Sequence, residues 1–237
     1  MNKMAKAIAT FEYEEKLLAS GFDFVLGIDE AGRGPLAGPV VASVATLKNF
    51  KSLNLEDKRW NFIRDSKTLS EKQREVMFDF IYEHFYVGVG VCDHKTIDRI
   101  NILEASFLAM KKAITDFQKN QKELIQDRRC IVLVDGNKII PSLSLEQLAI
   151  VSGDKLAKSI AAASIIAKVT RDRMICKEDE LYPEYGLAKH KGYGTRVHLE
   201  ALKKYGPCPI HRLSFEPIKS WTKQAKECYY KGVRYSN

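Results

Sequence analysis

The stretch FVLGIDEAGRGPLAGPVV, Phe24 to Val41, decides how this chain is read. An apolar run ends on two adjacent acids, Asp29 and Glu30. Four of the fourteen glycines, Gly27, Gly32, Gly34 and Gly38, then surround a single arginine, Arg33. Phe24–Ile28 and, beyond the turn, Val40–Leu47 are β-branched or apolar and bounded by Gly and Pro, the composition of strands. The turn is not a phosphate-binding P-loop, because no lysine follows these glycines until Lys48. It is not a dinucleotide-binding turn either, since a strand and not a helix comes next. Two readings stay open: a tight structural turn, or a loop whose backbone approaches something closely beside one guanidinium. Neighbouring strand residues point to opposite faces, so Asp29 and Glu30 are expected to share a site only if the strand ends or bulges there.

Outward from this stretch the chain alternates strands and helices. Thr10–Ser20 has the character of a short helix, and the polar segment Lys48–Arg59 that of a loop. Ser70 with Gln73 makes a capping box ahead of Val76, Met77, Phe80 and Ile81 at helical spacing. Phe85–Cys92 is a strand, and Asn101 caps a helix whose apolar face runs through Leu103, Phe107, Met110, Ile114 and Phe117. CIVLV, Cys130–Val134, has the continuous apolarity of a buried strand, and Gln147–Val151 is a candidate for another. An alanine-rich periodic segment from Leu156 to about Glu180 predicts one long helix. The pattern predicts an α/β fold, a mixed sheet flanked by helices. From Pro183 the chain turns basic and proline-bearing, which predicts a small helical C-terminal appendage. We place the main domain at residues 1–196 and the appendage, aiding substrate binding, at 197–237.

Composition narrows the class. The 237 residues are 45% hydrophobic and 29% charged, enough for one substantial core. There is no run of 18 apolar residues and no signal-like N-terminus, so a cytoplasmic location away from membranes is expected. The five cysteines are scattered and lack C-x-x-C spacing, which fits reduced thiols rather than a disulfide frame or zinc site. Residues 1–150 carry 21 basic and 21 acidic side chains, whereas residues 151–237 carry 17 and 9. The whole excess of +8 therefore lies in the last third, as on a surface facing a polyanion or on a solvated basic face. No extended heptad is present, and a monomer is expected.

The acids fall at strand ends. Asp29 and Glu30 follow the first strand, Asp135 follows CIVLV, and Asp172 lies in the long helix one turn after Lys168. Four carboxylates brought together repel one another unless cations sit between them, and oxygen-only donors select hard ions such as Mg²⁺ or Mn²⁺. Two such ions suit displacement at a phosphodiester. Taken singly, Asp29, Glu30 and Asp135 also read as turn residues beside glycine, and Asp172 as half of an exposed pair with Lys168.

These residues in combination resemble type 2 ribonuclease H, the ribonuclease HII branch. The resemblance is carried by GIDEAGRGPLAGPVVASV (Gly27–Val44), DSKTLS (Asp65–Ser70), LVDGN (Leu133–Asn137), GD with SIAAASIIAKVTRDR (Gly153–Arg173), YPEYGLAKHKGYGT (Tyr182–Thr195) and HRLSFEP (His211–Pro217). It implies a ribonuclease H-like fold and hydrolysis of RNA paired with, or embedded in, DNA. It further implies that Asp29, Glu30, Asp135 and Asp172 are catalytic and hold Mn²⁺ or Mg²⁺, with two ions during catalysis. Gly32, Arg33 and Gly34 match the family's G-R-G element, and Tyr193 its substrate-sensing tyrosine. Lys67, Lys168 and Lys191, with Lys189 and Arg196, are expected on substrate phosphates; Lys67 reads equally as a structural salt bridge. The sister branch, ribonuclease HIII, carries a long N-terminal extension that this sequence does not match. The tail WTKQAKECYYKGVRYSN lacks the sliding-clamp peptide of archaeal relatives.

Overall fold

In the computed structural model, residues 8–50, 53 and 56–223 are described. The part of the expected appendage beyond Lys223, with Cys228, lies outside them. The helices and strands, in chain order, are α1 (Glu12–Ala19), β1 (Phe24–Ala31), β2 (Val40–Leu47), α2 (Glu71–His84), β3 (Phe85–Cys92), α3 (His94–Ile100), α4 (Ile102–Asn120), α5 (Lys122–Ile125), β4 (Cys130–Asp135), β5 (Glu146–Ile150), α6 (Lys158–Leu181), α7 (Leu187–His190) and α8 (Arg196–Tyr205). Among the described residues no helix is long and apolar enough to cross a membrane.

The strands form one mixed sheet in the order β3-β2-β1-β4-β5. β1, β2 and β3 make an antiparallel meander, while β4 runs parallel to β1 and β5 parallel to β4. The connection from β3 to β4 passes through α4, which covers one face: Phe107, Met110, Ile114 and Phe117 pack on Leu26, Ile28, Val44 and Val132. α6 and α2 cover the other face. All eight residues of β2 are buried, as expected of a strand covered on both sides. Truncating a core anchor such as Phe117 to Ala costs about 3–5 kcal/mol.

Local signals explain where the elements begin. The Ser70 hydroxyl accepts from the Gln73 N–H at 3.2 Å, and the Gln73 side chain accepts in return from the Ser70 N–H at 2.9 Å. The Asn101 side chain accepts from Leu103 and Glu104 N–H, capping α4. α6 lies flat on the sheet because alanines at 161, 162, 163 and 167 give it a smooth buried face. Gly27 lets it approach: a methyl there would sit 2.1 Å from the Ser159 carbonyl carbon. The contact fixes α6 against β1, and with it the height of every side chain α6 presents to the sheet's rim.

One expectation is overturned. β1 does not end at Ile28; it continues in regular register through Ala31, with Asp29 opposite Ser43 and Glu30 opposite Ala42. The neighbouring β2 supplies partners for the extra residues, so the glycines terminate nothing before Gly32. From Tyr185 on, the chain builds a cluster of its own, in which Tyr185, Leu187, Ala201, Leu202, Ile210 and Ile218 close over Leu36, Ala37 and Ile175. Residues 185–218 are thereby docked on the loop that follows β1.

Candidate active site

Asp29 shares the face of Gly27, which packs on Ser159 of α6, and so looks toward α6. Glu30 shares the face of Ile28 and lines a cavity of about 160 Å³ with Ser106 and Phe107 of α4, Arg33, Asp135 and Lys138. Asp135 ends β4 one position beyond the Ile28–Val134 pair, at the rim beside Asp29. Its Oδ1 accepts from the Asp154 N–H at 3.3 Å. Burial, then Glu30 and Asp135, drive the Asp29 carboxyl well above the ordinary carboxylate range. Burial also raises Glu30, against the guanidinium of Arg33 at 3.2 Å, with Asp135 adding to the rise. A fifth acid that the sequence does not single out, Asp154, is pushed up to about 6 by burial and by Asp135 and Asp65. The rim thus gathers negative charge with little to balance it.

Asp172 is engaged by basic side chains. Its Oδ1 accepts from Lys168 Nζ at 2.7 Å, and Arg74 lies 3.9 Å from its Oδ2. The same Lys168 ammonium stands 5.9 Å from the centre of the Tyr193 ring. Among the described residues, no three Asp, Glu, His or Cys side chains are drawn tightly enough together to enclose an ion. The donor chemistry nevertheless fits a hard divalent cation. Three carboxylates at one rim offer oxygen only, and their mutual repulsion is what a cation between them relieves.

The glycine-rich loop runs from this rim toward Tyr193. Gly32 has φ +103°, and a methyl on it would meet Arg171 Nε at 2.2 Å. A methyl on Gly34 would stand 3.5 Å from Tyr193 Cε1, so the tyrosine ring lies against the loop. Tyr193 is 43% exposed and free to meet a ligand.

A protein-family model described as Ribonuclease HII matches residues 26–218. The chain belongs to the ribonuclease HII family. It is 46% identical over 217 residues to the Ribonuclease HII of Endomicrobium trichonymphae, covering 91% of this chain and 96% of that one. It is 50% identical over 206 residues to the Ribonuclease HII of Caldicellulosiruptor bescii, covering 86% and 92%. The crystal structure of the ribonuclease H2 from Pyrococcus horikoshii OT3 superimposes with a TM-score of 0.63 at 28% identity, covering 86% of this chain and 99% of that one. The chain is therefore a type 2 ribonuclease H, an endonuclease of a divalent-metal-dependent family that acts on RNA/DNA hybrids, on the mixed sheet expected from its sequence.

The lysines expected on substrate phosphates divide. Lys67 is exposed, and its charge is felt by Asp154 at the rim. Lys168 is engaged with Asp172. Lys191, expected on substrate phosphate, donates to the Ala188 carbonyl at 2.7 Å and to the exposed Glu71 at 3.2 Å, with Cys176 Sγ also at 3.2 Å. Its backbone is left-handed (φ 51°) where it ends α7. Two functional candidates escape sequence reasoning, the buried arginines Arg171 and Arg212. Arg171 sits at i+7 from Ser164 and i+4 from Ala167, so the alanine face of α6 carries the signal for it. Arg212 has no periodic context to reveal it.

Proposed function

We propose that this enzyme hydrolyses the phosphodiester 5′ to a ribonucleotide, both in RNA/DNA hybrids and at single ribonucleotides embedded in duplex DNA. The products are 5′-phosphate and 3′-hydroxyl ends. The observation that carries this reading is the adjacency of two tools: the acidic rim of Asp29, Glu30 and Asp135, and the Gly32–Gly34 loop against which the Tyr193 ring lies.

Asp29, Glu30, Asp135 and Asp172 are the residues that would hold Mn²⁺ or Mg²⁺, with two ions during catalysis. Such a cation supplies Lewis acidity, bringing a water's pKa toward neutrality and offsetting charge on the scissile phosphate. Asp29 feels the charges of both Glu30 and Asp135. Arg33 holds the Glu30 carboxylate, and Lys168 holds that of Asp172.

A deoxynucleotide differs from a ribonucleotide by one hydroxyl. Strong discrimination therefore needs polar groups satisfied only when the 2′-OH is present. Backbone groups of Gly32–Gly34 serve that purpose, and the exposed Tyr193 ring stacks on the sugar. Lys67 and Lys168 meet phosphates, as do the basic residues of the appendage at 197–237, giving affinity without reading sequence. We take the enzyme to act as a monomer. The test is cleavage of three duplexes of one sequence, carrying a single ribonucleotide, a full RNA strand, or DNA only. Cutting of the first two and not the third is expected; equal cutting of all three contradicts 2′-OH sensing.

A further inference from the structure

Arg171 and Arg212 head the fully buried side chains, at 1% and 0% exposure. A buried cation is normally paired with a carboxylate, since desolvating charge is expensive. Among the described residues neither guanidinium hydrogen-bonds one. Every bond goes to a backbone carbonyl. Arg212 donates through Nη2 to Gly32 O at 2.6 Å and Pro39 O at 3.2 Å, through Nη1 to Arg33 O at 3.0 Å, and through Nε to Gly38 O at 3.0 Å. Arg171 donates through Nε to Pro39 O at 3.0 Å, through Nη2 to Ala37 O at 3.1 Å, and through Nη1 to Lys191 O at 3.0 Å. Two charges are spent on shaping one loop and joining it to the turn that carries Tyr193.

The shape has a chemical consequence. Across a trans peptide plane the C=O and N–H point in opposite directions. Gly32 O and Arg33 O both turn inward to one guanidinium, so the N–H groups of Arg33 and Gly34 both turn outward. Neither N–H donates to a backbone acceptor among the described residues. Successive N–H groups aimed the same way form a concave donor pair that receives an oxygen. Arg171 then sets the distance from this pair to Tyr193, because it grips Lys191 O two residues before the ring. Leu36 N–H reinforces the join by donating to Gly192 O at 2.8 Å. The absent side chain of Gly32 is what admits Arg171, because a methyl there would overlap the guanidinium stem, 2.2 Å from Nε.

We propose that Arg171 and Arg212 are positioning residues for ribonucleotide recognition, holding the Arg33 and Gly34 N–H groups outward, at a fixed distance from Tyr193, as donors to the 2′-hydroxyl. The proposal rests on the reading of Gly32–Gly34 and Tyr193 as the sugar-sensing elements.

The test uses the full chain and Arg212→Lys, which keeps the charge and loses the fork. On the one-ribonucleotide duplex its kcat is expected to fall about 100-fold, the loss typical of misplacing a reacting group by about 1 Å. Its affinity for an all-DNA duplex stays at the wild-type value. A structural role alone lowers Tm and leaves kcat per folded molecule unchanged, and that result overturns the proposal. A second measurement needs no variant: in ¹⁵N-labelled wild type without divalent ions, the Arg33 and Gly34 amides are expected to shift with the one-ribonucleotide duplex and not with its all-DNA counterpart. Identical spectra overturn the proposal even where Arg212→Lys does not fold. The two failures are separable. Wild type that cuts all-DNA duplex as fast as the ribonucleotide duplex refutes the sugar-sensing reading itself. Wild type that discriminates while its amides and Arg212→Lys do not respond refutes only the arginine brace.

Discussion

Asp29 and Glu30, adjacent in β1, project from opposite faces of the sheet, Asp29 toward α6 and Glu30 toward α4. Both remain within electrostatic reach of Asp135, because β4 ends beside them at the rim. The pleat is thus kept, and the site is assembled around an edge instead of on one face. Asp29→Asn and Asp135→Asn are each expected to lower cleavage by on the order of 10²–10³ or more. Fold and duplex binding persist, as read by circular dichroism and gel shift. Without divalent ions, either change leaves Tm equal or higher, because it removes one repelling charge from the rim.

Divalent ions should stabilise the wild type and not the stripped rim. At about a hundred times the dissociation constant, a ligand specific for the folded state adds about 2.7 kcal/mol. A rise of that order in thermal or urea stability is expected with Mg²⁺ or Mn²⁺, largely lost in Asp135→Asn. Chelation should stop cleavage and reverse the increment. An equal increment in wild type and variant would assign the ion to some other place.

Gly32 and Gly136 separate two costs of adding a methyl. Both have φ +103°, so alanine is strained at either. At Gly136 nothing lies within 4 Å, whereas at Gly32 the methyl meets Arg171 Nε at 2.2 Å and the Pro39 carbonyl oxygen at 2.7 Å. Gly136→Ala should cost about 1 kcal/mol. Gly32→Ala should cost at least twice as much and move Arg171, measured as the change in urea midpoint. Equal costs would mean that the packing at Gly32 is slack.

A histidine relay gives the C-terminal cluster a pH dependence. His198 Nδ1 donates to the Tyr193 carbonyl at 2.9 Å, and His211 Nδ1 accepts from the Cys208 N–H at 3.0 Å. That leaves His211 Nε2–H to donate to His198 Nε2 at 3.0 Å, with both rings neutral. Burial, with His198 next, pushes His211 down to about 4, and burial lowers His198 as well. The neighbouring Tyr185 and Cys208 are pushed up by burial and stay protonated. The unfolded chain, with histidine near 6.5, binds more protons between pH 4 and 6.5. The contribution is therefore complete above about pH 6.5 and fades as pH falls toward 4, by about 3 kcal/mol for His211. Urea midpoints of wild type against His211→Gln should diverge most near neutrality and converge toward pH 4; a pH-independent difference would contradict the relay.

Much of the fold and site is legible in the residues, and what is not has physical causes. Continuous apolar runs mark β1, β2 and β4 because those strands are covered on both faces, and the Ser70–Gln73 box marks the start of α2 because its signal is local. Asp135 is visible because it ends such a run, and Asp29 and Glu30 because they follow one, though both lie inside β1. The end of β1 is hidden since strand length depends on what pairs alongside, and β2 is distant in local pattern though close in space. The contacts of Lys191 with Ala188, Cys176 and Glu71 are hidden because they join residues up to 120 positions apart. Arg171 and Arg212 escape because arginines are rarely fully buried, and these two are satisfied by carbonyls that no side-chain pattern reveals.

The most direct measurement is the position and chemistry of the cut in a DNA duplex carrying one ribonucleotide, read at nucleotide resolution with Mg²⁺ and with Mn²⁺. The account predicts a single incision immediately 5′ to the ribonucleotide, leaving a 3′-hydroxyl and a 5′-phosphate, and no incision in the all-DNA duplex. A cut 3′ to the ribonucleotide, ends showing attack by the 2′-hydroxyl itself, or equal cutting of the all-DNA duplex would contradict it.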